Sequence, residues 1–263
     1  RDQVRHRLEP DEIERELTAL KRLGFEQVLL LTGERTPHAG FDYLLAGVRM
    51  AARLFHEVTV EAFPMTVYEY HALAEAGCTG VTIYQETYDP DAYERFHRWG
   101  PKRDYAARLD APSRALSGGI ASVGLGALLG LADPLADALA LFRHVRVLQQ
   151  RFWRAAFSVS FPRLRPEAGG FQAPHPVGDR WLAQLIFAFR ICLQETTLVL
   201  STREAPAFRD GLAGVGINRM SAGSRTTVGG YDGRAEDTGQ FAVSDGRDVT
   251  AFCTMLRAHG LDP

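Results

Sequence analysis

Seven hydrophobic runs alternate with amphipathic stretches along this chain, and almost every run ends in a short polar signature. Val28-Leu-Leu-Leu-Thr-Gly-Glu34, Val81-Thr-Ile-Tyr-Gln-Glu-Thr87, Phe157-Ser-Val-Ser-Phe-Pro-Arg163 and Leu198-Val-Leu-Ser-Thr-Arg-Glu204 are four of them. A βαβα alternation implies a parallel sheet with helices packed on it. In a parallel α/β barrel the carboxyl ends of the strands form the active-site face, so polar residues repeatedly placed there point to an enzyme and locate its chemistry.

The spacing predicts strands over 27–31, 57–63, 80–84, 120–125, 155–160, 197–200 and 216–220, and helices over 10–23, 40–55, 66–76, 134–153, 179–193, 207–212 and 248–259. The charged, aromatic stretch 90–116 reads as two helical pieces broken near Gly100-Pro101. The run Gln27 to Leu31 is continuously apolar, as expected of a strand covered on both faces. Seven strands behind an unpaired helix leave an eightfold barrel one strand short of closure. The expected fold is therefore α/β: a TIM-type (β/α)8 barrel, incomplete, with its first strand missing. An open doubly wound sheet is the alternative, but no Gly-x-Gly-x-x-Gly turn opens any helix.

With 263 residues and 46% apolar composition the chain can build one large core. A net charge of -2 recommends no nucleic acid. The longest apolar stretch, Gly118 to Leu131, is too short and too glycine-rich to span a bilayer, so no membrane partner is expected. Cys78, Cys192 and Cys253 are too widely spaced for a disulfide framework or a local metal site. A reducing cytoplasm is the default compartment.

The strand-end residues carry the candidate chemistry. Gly33, between Thr32 and Glu34, would let a ligand approach the backbone, and Glu34 could balance a positive charge; an ordinary turn is the other reading. Gln85 and Glu86 can bind sugar hydroxyls, or simply face solvent. Gly124 and Gly126 mark a close backbone approach: a flat ligand, or tight packing. Ser160, Arg163 and Arg165 stand at one strand end and Arg203 at the next, either as a carboxylate clamp or as rim salt bridges with Glu167 and Glu204. Lys21 and Lys102 are the only lysines, one on the first helix and one in a helical loop, which disfavours a Schiff-base aldolase. His38 is the histidine nearest the site and reads as a loop residue.

In this order, Leu-Leu-Leu-Thr-Gly-Glu34, Val-Thr-Ile-Tyr-Gln-Glu-Thr-Tyr88, Val-Gly-Leu-Gly-Ala-Leu-Leu-Gly-Leu131, Ser-Val-Ser-Phe-Pro-Arg-Leu-Arg-Pro166, Leu-Ser-Thr-Arg-Glu204, Phe-Arg-Asp210 and Gly-Gly-Tyr231 resemble the 2-iminoacetate synthase family of radical S-adenosyl-L-methionine enzymes. The tyrosine lyase of hydrogenase maturation is the nearest confusable neighbour. The resemblance implies a radical-type barrel with a core half over 1–110, a biotin-and-thiamine-synthesis-associated half over 111–246 and a closing helix over 247–263. It implies S-adenosyl-L-methionine and a 4Fe-4S cluster as cofactors, and a 5′-deoxyadenosyl radical that abstracts hydrogen from the amino group of L-tyrosine. Cleavage of Cα–Cβ then gives 2-iminoacetate and p-cresol. On that resemblance Thr32, Gly33 and Glu34 meet the methionine amino group, Gln85 and Glu86 the ribose, and Gly124 and Gly126 the adenine. Arg203, with Ser160 and Arg163 behind it, holds the tyrosine carboxylate. A reductant such as a flavodoxin or ferredoxin and a thiazole synthase are the implied partners.

One departure stands out. The family's Cys-x-x-x-Cys-x-x-Cys loop is expected just ahead of Arg1, and the three cysteines present lack that spacing. The expectation is a truncated chain that could not form the radical by itself. The competing expectation is a cluster-free barrel that binds a metabolite or a partner without catalysis.

Overall fold

Pro10 stands at the first turn of a helix whose opening is acidic, at Asp11 and Glu12, and whose last turn is basic, at Lys21 and Arg22, so both ends complement the helix dipole. The Glu12 carboxylate accepts the Glu9 backbone N–H at 2.7 Å, and Gly24, with φ +89°, turns the chain out. Local signals of this kind set most of the element boundaries. The computed structural model describes residues 7–164, 171–225, 227–233 and 243–263. Arg165 and Glu167, named above as possible rim groups, lie outside those residues.

In chain order the elements are α1 (Pro10–Arg22), β1 (Gln27–Leu31), α2 (Phe41–Ala51), β2 (Glu57–Glu61), α3 (Val67–Glu75), β3 (Gly80–Glu86), α4 (Pro90–Phe96), a 3-10 turn (Pro101–Arg103), α5 (Tyr105–Ser117), β4 (Ser122–Ala127), α6 (Pro134–Arg151), β5 (Ala156–Ser160), α7 (Asp179–Cys192), β6 (Thr197–Leu200), α8 (Pro206–Leu212), β7 (Arg219–Met220) and α9 (Val249–Ala258). The strands form one parallel sheet in sequential order, β1 through β7. The α/β barrel expected from the alternation is therefore present with seven strands among the described residues.

Side chains alternate across this sheet. Val58, Val60, Val81, Ile83, Val123, Leu125, Val159, Leu198 and Leu200 are buried in one core with helix residues such as Leu73, Leu141 and Ile186. Each buried aliphatic side chain contributes about 1.5–3 kcal/mol of transfer free energy, so this outer layer drives the assembly. The other face is polar or small. Its register layers are Glu61, Thr82, Gly124, Ser158 and Thr197, then Tyr84, Gly126, Ser160 and Val199. These residues line a lumen.

One contact shows that the sheet is rolled and not flat. Arg219 at the start of β7 donates to the Glu57 carboxylate at the start of β2, 3.2 Å away. A pair so many strands apart can meet only if the strands curve around a shared interior.

Three expectations need correction. Gln27 to Leu31 is not covered on both faces: Leu29 is 42% and Leu31 63% exposed. β1 is an edge strand, and its alternate side chains turn to the open lumen instead of a second helical layer. β3 runs past Tyr84 to Glu86, because a bulge between Tyr84 and Glu86 re-seats the strand against Ala127. β7 keeps only Arg219 and Met220, since Gly214, with φ +72°, and a bridge between Ala213 and Ile217 spend the preceding residues on a turn.

Candidate active site

The carboxyl ends of β1, β2, β3, β5 and β6 meet at one mouth of the lumen, and charge gathers on one side of it. Thr32, just past β1, donates its backbone N–H to the Glu61 carbonyl at 3.0 Å, which ties this turn to the end of β2. The Glu34 carboxylate then accepts from the buried Arg108 of α5 at 3.1 Å through Oε1, and its Oε2 is buried with no partner among the described residues. A Cβ built on Gly33 would meet nothing within 4 Å, so no protein packing demands a glycine there.

Glu86 is the one non-glycine described residue with positive φ, +72°. Such a conformation costs on the order of 1–3 kcal/mol and persists where surroundings enforce it. The bulge does so: the Glu86 carbonyl accepts from Leu128 N–H at 2.7 Å, while its carboxylate accepts from Lys102 Nζ at 2.5 Å. Gln85, beside it, is buried, and its Nε2 has no partner among the described residues. The two residues expected to act side by side thus face different surroundings, and only Glu86 is half-open at the rim.

The β4 glycines have a clear steric reason. A Cβ on Gly124 would come 2.6 Å from Thr82 Oγ1 and 2.9 Å from Ser158 Oγ. On Gly126 it would come 2.7 Å from the Tyr84 ring and 2.8 Å from the Ser160 carbonyl. Glycine at both positions makes room for lumen side chains, and both glycines are buried beneath them, the tight packing that was the other reading.

Arg163 is a strut. Its Nε donates to Glu204 at 2.9 Å, one terminal nitrogen donates to the Val177 carbonyl at 2.8 Å, and the other donates to Asp179 at 2.6 Å and to Glu204. All three nitrogens are engaged, which realises the rim salt bridge with Glu204 and works against Arg163 as a carboxylate clamp. Arg203, half-buried on the next strand end, lies close enough to Tyr84 to act on its hydroxyl. His38 is exposed in its loop, where its carbonyl accepts from Arg7 at 2.6 Å.

Three residues here were missed by sequence reasoning. Lys102 was placed away from the strand ends, yet the 3-10 turn carries it to Glu86. Arg108 sits in the interior of α5 and still reaches Glu34. Glu61 closes a strand written Glu57-Val-Thr-Val-Glu61, whose period of two puts every polar residue on one face; that alternation was the available signal. Burial, and next the Glu86 carboxylate, push the Glu61 carboxyl up to about 7, with Arg108 and Lys102 pulling the other way. Burial raises the Tyr84 hydroxyl well above its ordinary range; Glu61 raises it further, and Ser160 and Arg203 oppose.

The cysteines do not suit an iron–sulfur cluster. Cys78 is buried beside Gly80 with its thiol pushed up to about 11, Cys192 is exposed at the end of α7, and Cys253 lies in α9. No group of metal-binding side chains occurs among the described residues. No described helix is long and apolar enough to cross a membrane.

Comparison with known proteins identifies the family and the fold. Residues 2–145 match the model of the Radical SAM superfamily, and residues 160–262 match that of the Biotin and Thiamin Synthesis associated domain. Over 260 residues the chain is 40% identical to 2-iminoacetate synthase of Escherichia coli (strain K12), covering 98% of this chain and 69% of that protein. Among solved structures, HydG, a maturase of the FeFe-hydrogenase, superposes with a TM-score of 0.93 at 33% identity, over 99% of this chain and 58% of HydG. Methylornithine synthase shares the fold, with a TM-score of 0.76 at 18% identity over 100% of this chain and 75% of its own.

Proposed function

This chain belongs to the radical S-adenosyl-L-methionine superfamily and, within it, to the family of 2-iminoacetate synthase, and from that premise we propose that its lumen serves a carbon–carbon lyase that cleaves Cα–Cβ of L-tyrosine to 2-iminoacetate and p-cresol. The observation that carries this reading is the 40% identity that runs along 98% of the chain. Product use in building the thiazole of thiamine fits the thiamine-associated match over residues 160–262.

The residues present suit a nucleoside and an amino acid. When bound, S-adenosyl-L-methionine supplies the hydrogen-abstracting chemistry. The orphaned Glu34 Oε2 and the exposed backbone of Thr32 and Gly33 would hold its methionine ammonium. Glu86 would meet the ribose, with the unpartnered Gln85 amide behind it, and Gly124 and Gly126, packed under Thr82, Ser158 and Tyr84, would form the floor on the adenine side. For tyrosine, Arg203 is the carboxylate anchor and Ser160 a neighbouring hydrogen-bonding group; Arg163, held by Glu204, Val177 and Asp179, is a fixed strut of the rim. The residues present do not fit a 4Fe-4S cluster, so these 263 residues supply pockets and not the cluster's thiolates. A reductant such as a flavodoxin or ferredoxin, a thiazole synthase and a cytoplasmic setting complete the reading.

A second reading, the hydrogenase-maturation tyrosine lyase, draws on the HydG superposition. The chain is less identical to HydG than to the curated 2-iminoacetate synthase, 33% against 40%, so the first reading stands ahead.

The test has two parts. Calorimetry should detect L-tyrosine and S-adenosyl-L-methionine binding to the chain. A fusion placing a Cys-x-x-x-Cys-x-x-Cys segment ahead of Arg1, reconstituted with iron and sulfide, should form p-cresol from tyrosine with a reductant; a cluster-loaded fusion that forms none overturns the proposal. Arg203→Ala is expected to weaken tyrosine binding roughly 10- to 100-fold, the scale of one lost charge-assisted hydrogen bond. Unchanged affinity would remove Arg203 from the site.

A further inference from the structure

Three carboxylates and two cations crowd one side of the lumen mouth. Glu34 pairs with Arg108 and Glu86 with Lys102. Glu61 is left over. Its carboxylate is half-buried and makes no hydrogen bond or ion pair with any described side chain, although its backbone carbonyl is held by Thr32. It projects into the lumen one layer below Tyr84, beside Thr82 and Gly124, while β1 offers only Leu31 at that level. The charged or titratable groups that act on it are Glu86 on β3, Arg108 on α5 and Lys102 on the 3-10 turn, and it acts in turn on the Tyr84 hydroxyl. An unpaired carboxylate held partly out of water is costly, and a surplus negative charge facing a cavity is satisfied by a cation arriving with a ligand.

Across the same cavity Tyr84 feels two opposite charges, Glu61 from β2 and Arg203 from the end of β6. That polarity matches a zwitterionic amino acid, carboxylate toward Arg203 and ammonium toward Glu61. We propose that Glu61 is the substrate-ammonium site: it binds the amino group of the amino acid in the lumen and accepts a proton from it. The step balances, since one N–H bond breaks and one O–H bond forms, turning ammonium and carboxylate into neutral amine and carboxylic acid. Hydrogen abstraction from the amino group requires that neutral amine. This assignment rests on the tyrosine-lyase reading and adds to it the group that fixes and deprotonates the amine.

The assignment has a thermodynamic signature that needs no turnover. In the empty site the carboxyl titrates near neutrality, whereas docking an ammonium demands the carboxylate, so binding expels a proton. Calorimetry of L-tyrosine binding in two buffers of different ionisation enthalpy, stepped from about pH 6 to about pH 8, should show proton release that fades above about pH 7. Below that point affinity should fall by up to about tenfold per pH unit. 3-(4-Hydroxyphenyl)propanoate, which lacks the amine, should bind the wild-type protein with no proton release. Glu61→Gln should bind tyrosine more weakly and without the pH dependence.

Wild-type protein that binds no tyrosine overturns both this assignment and the reading beneath it. Tyrosine binding whose proton release persists in Glu61→Gln, or is matched by the amine-free acid, overturns the assignment alone. So does a Glu61→Gln effect confined to S-adenosyl-L-methionine, which would hand the residue to the methionine ammonium. If Glu61→Gln fails to fold, the comparison of the two ligands on wild-type protein still decides.

Discussion

Glu61 should cost the empty protein stability at high pH. Its folded-state carboxyl sits near 7 against an ordinary value of 4.5, so folding favours the protonated form. Its contribution is fully present below about pH 4.5 and is lost as pH rises through about 7. Glu61→Gln, which cannot ionise, is therefore expected to have a higher Tm than wild type at about pH 8, with the gap closing on acidification. A gap that stays constant with pH would show that the residue is not titrating in the native state. This residue was hard to read from sequence because its meaning is a charge count. A glutamate ending a strand is unremarkable until Lys102 and Arg108, roughly 40 residues downstream, are seen to be occupied by other acids. Arg163 was legible as a charged strand-end group, but its role depended on Glu204, whose position only the fold supplies.

Elements were more legible than their faces. Gln27–Leu31 and Thr197–Leu200 were bounded correctly because Gly24 and the turn at Gln194-Glu195 punctuate them. What sequence could not show was the direction of each face: the apolar run of β1 looks buried throughout, yet half of it meets an open cavity. The β4 glycines sharpen the point, since they look alike in sequence and differ from Gly33 in what surrounds them. Gly126→Ala should destabilise the protein by about 1–3 kcal/mol, because the added methyl meets the Tyr84 ring and the Ser160 backbone, and backbone cannot step aside. Gly33→Ala, facing open space, should leave stability within about 0.5 kcal/mol of wild type and weaken S-adenosyl-L-methionine binding instead. Urea unfolding and calorimetry on the two variants separate packing from ligand space; equal unfolding midpoints would refute it.

For the whole molecule, the alternation of runs predicted a parallel barrel, and the order of strand-end signatures predicted the family. Which residues meet across the roll was not legible, because that depends on contacts between distant strands. Arg219 and Glu57 are 162 residues apart, and theirs is a surface ion pair worth at most about 1 kcal/mol. Joining ends so far apart costs on the order of 4 kcal/mol in chain entropy, so the pair reports the rolled shape and does not cause it. The strand ladder and the helices outside it must do that, added neighbour by neighbour from one edge to the other. A growing chain would therefore carry well-formed helix and strand pairs long before it carries a pocket. A version ending ahead of Arg219 is expected to keep most of its far-ultraviolet circular dichroism yet bind no tyrosine; binding by that shortened protein would contradict this order. Competence would then wait for β7, and a ribosome-bound intermediate that has not yet made it would be folded in its parts but blind to its ligands.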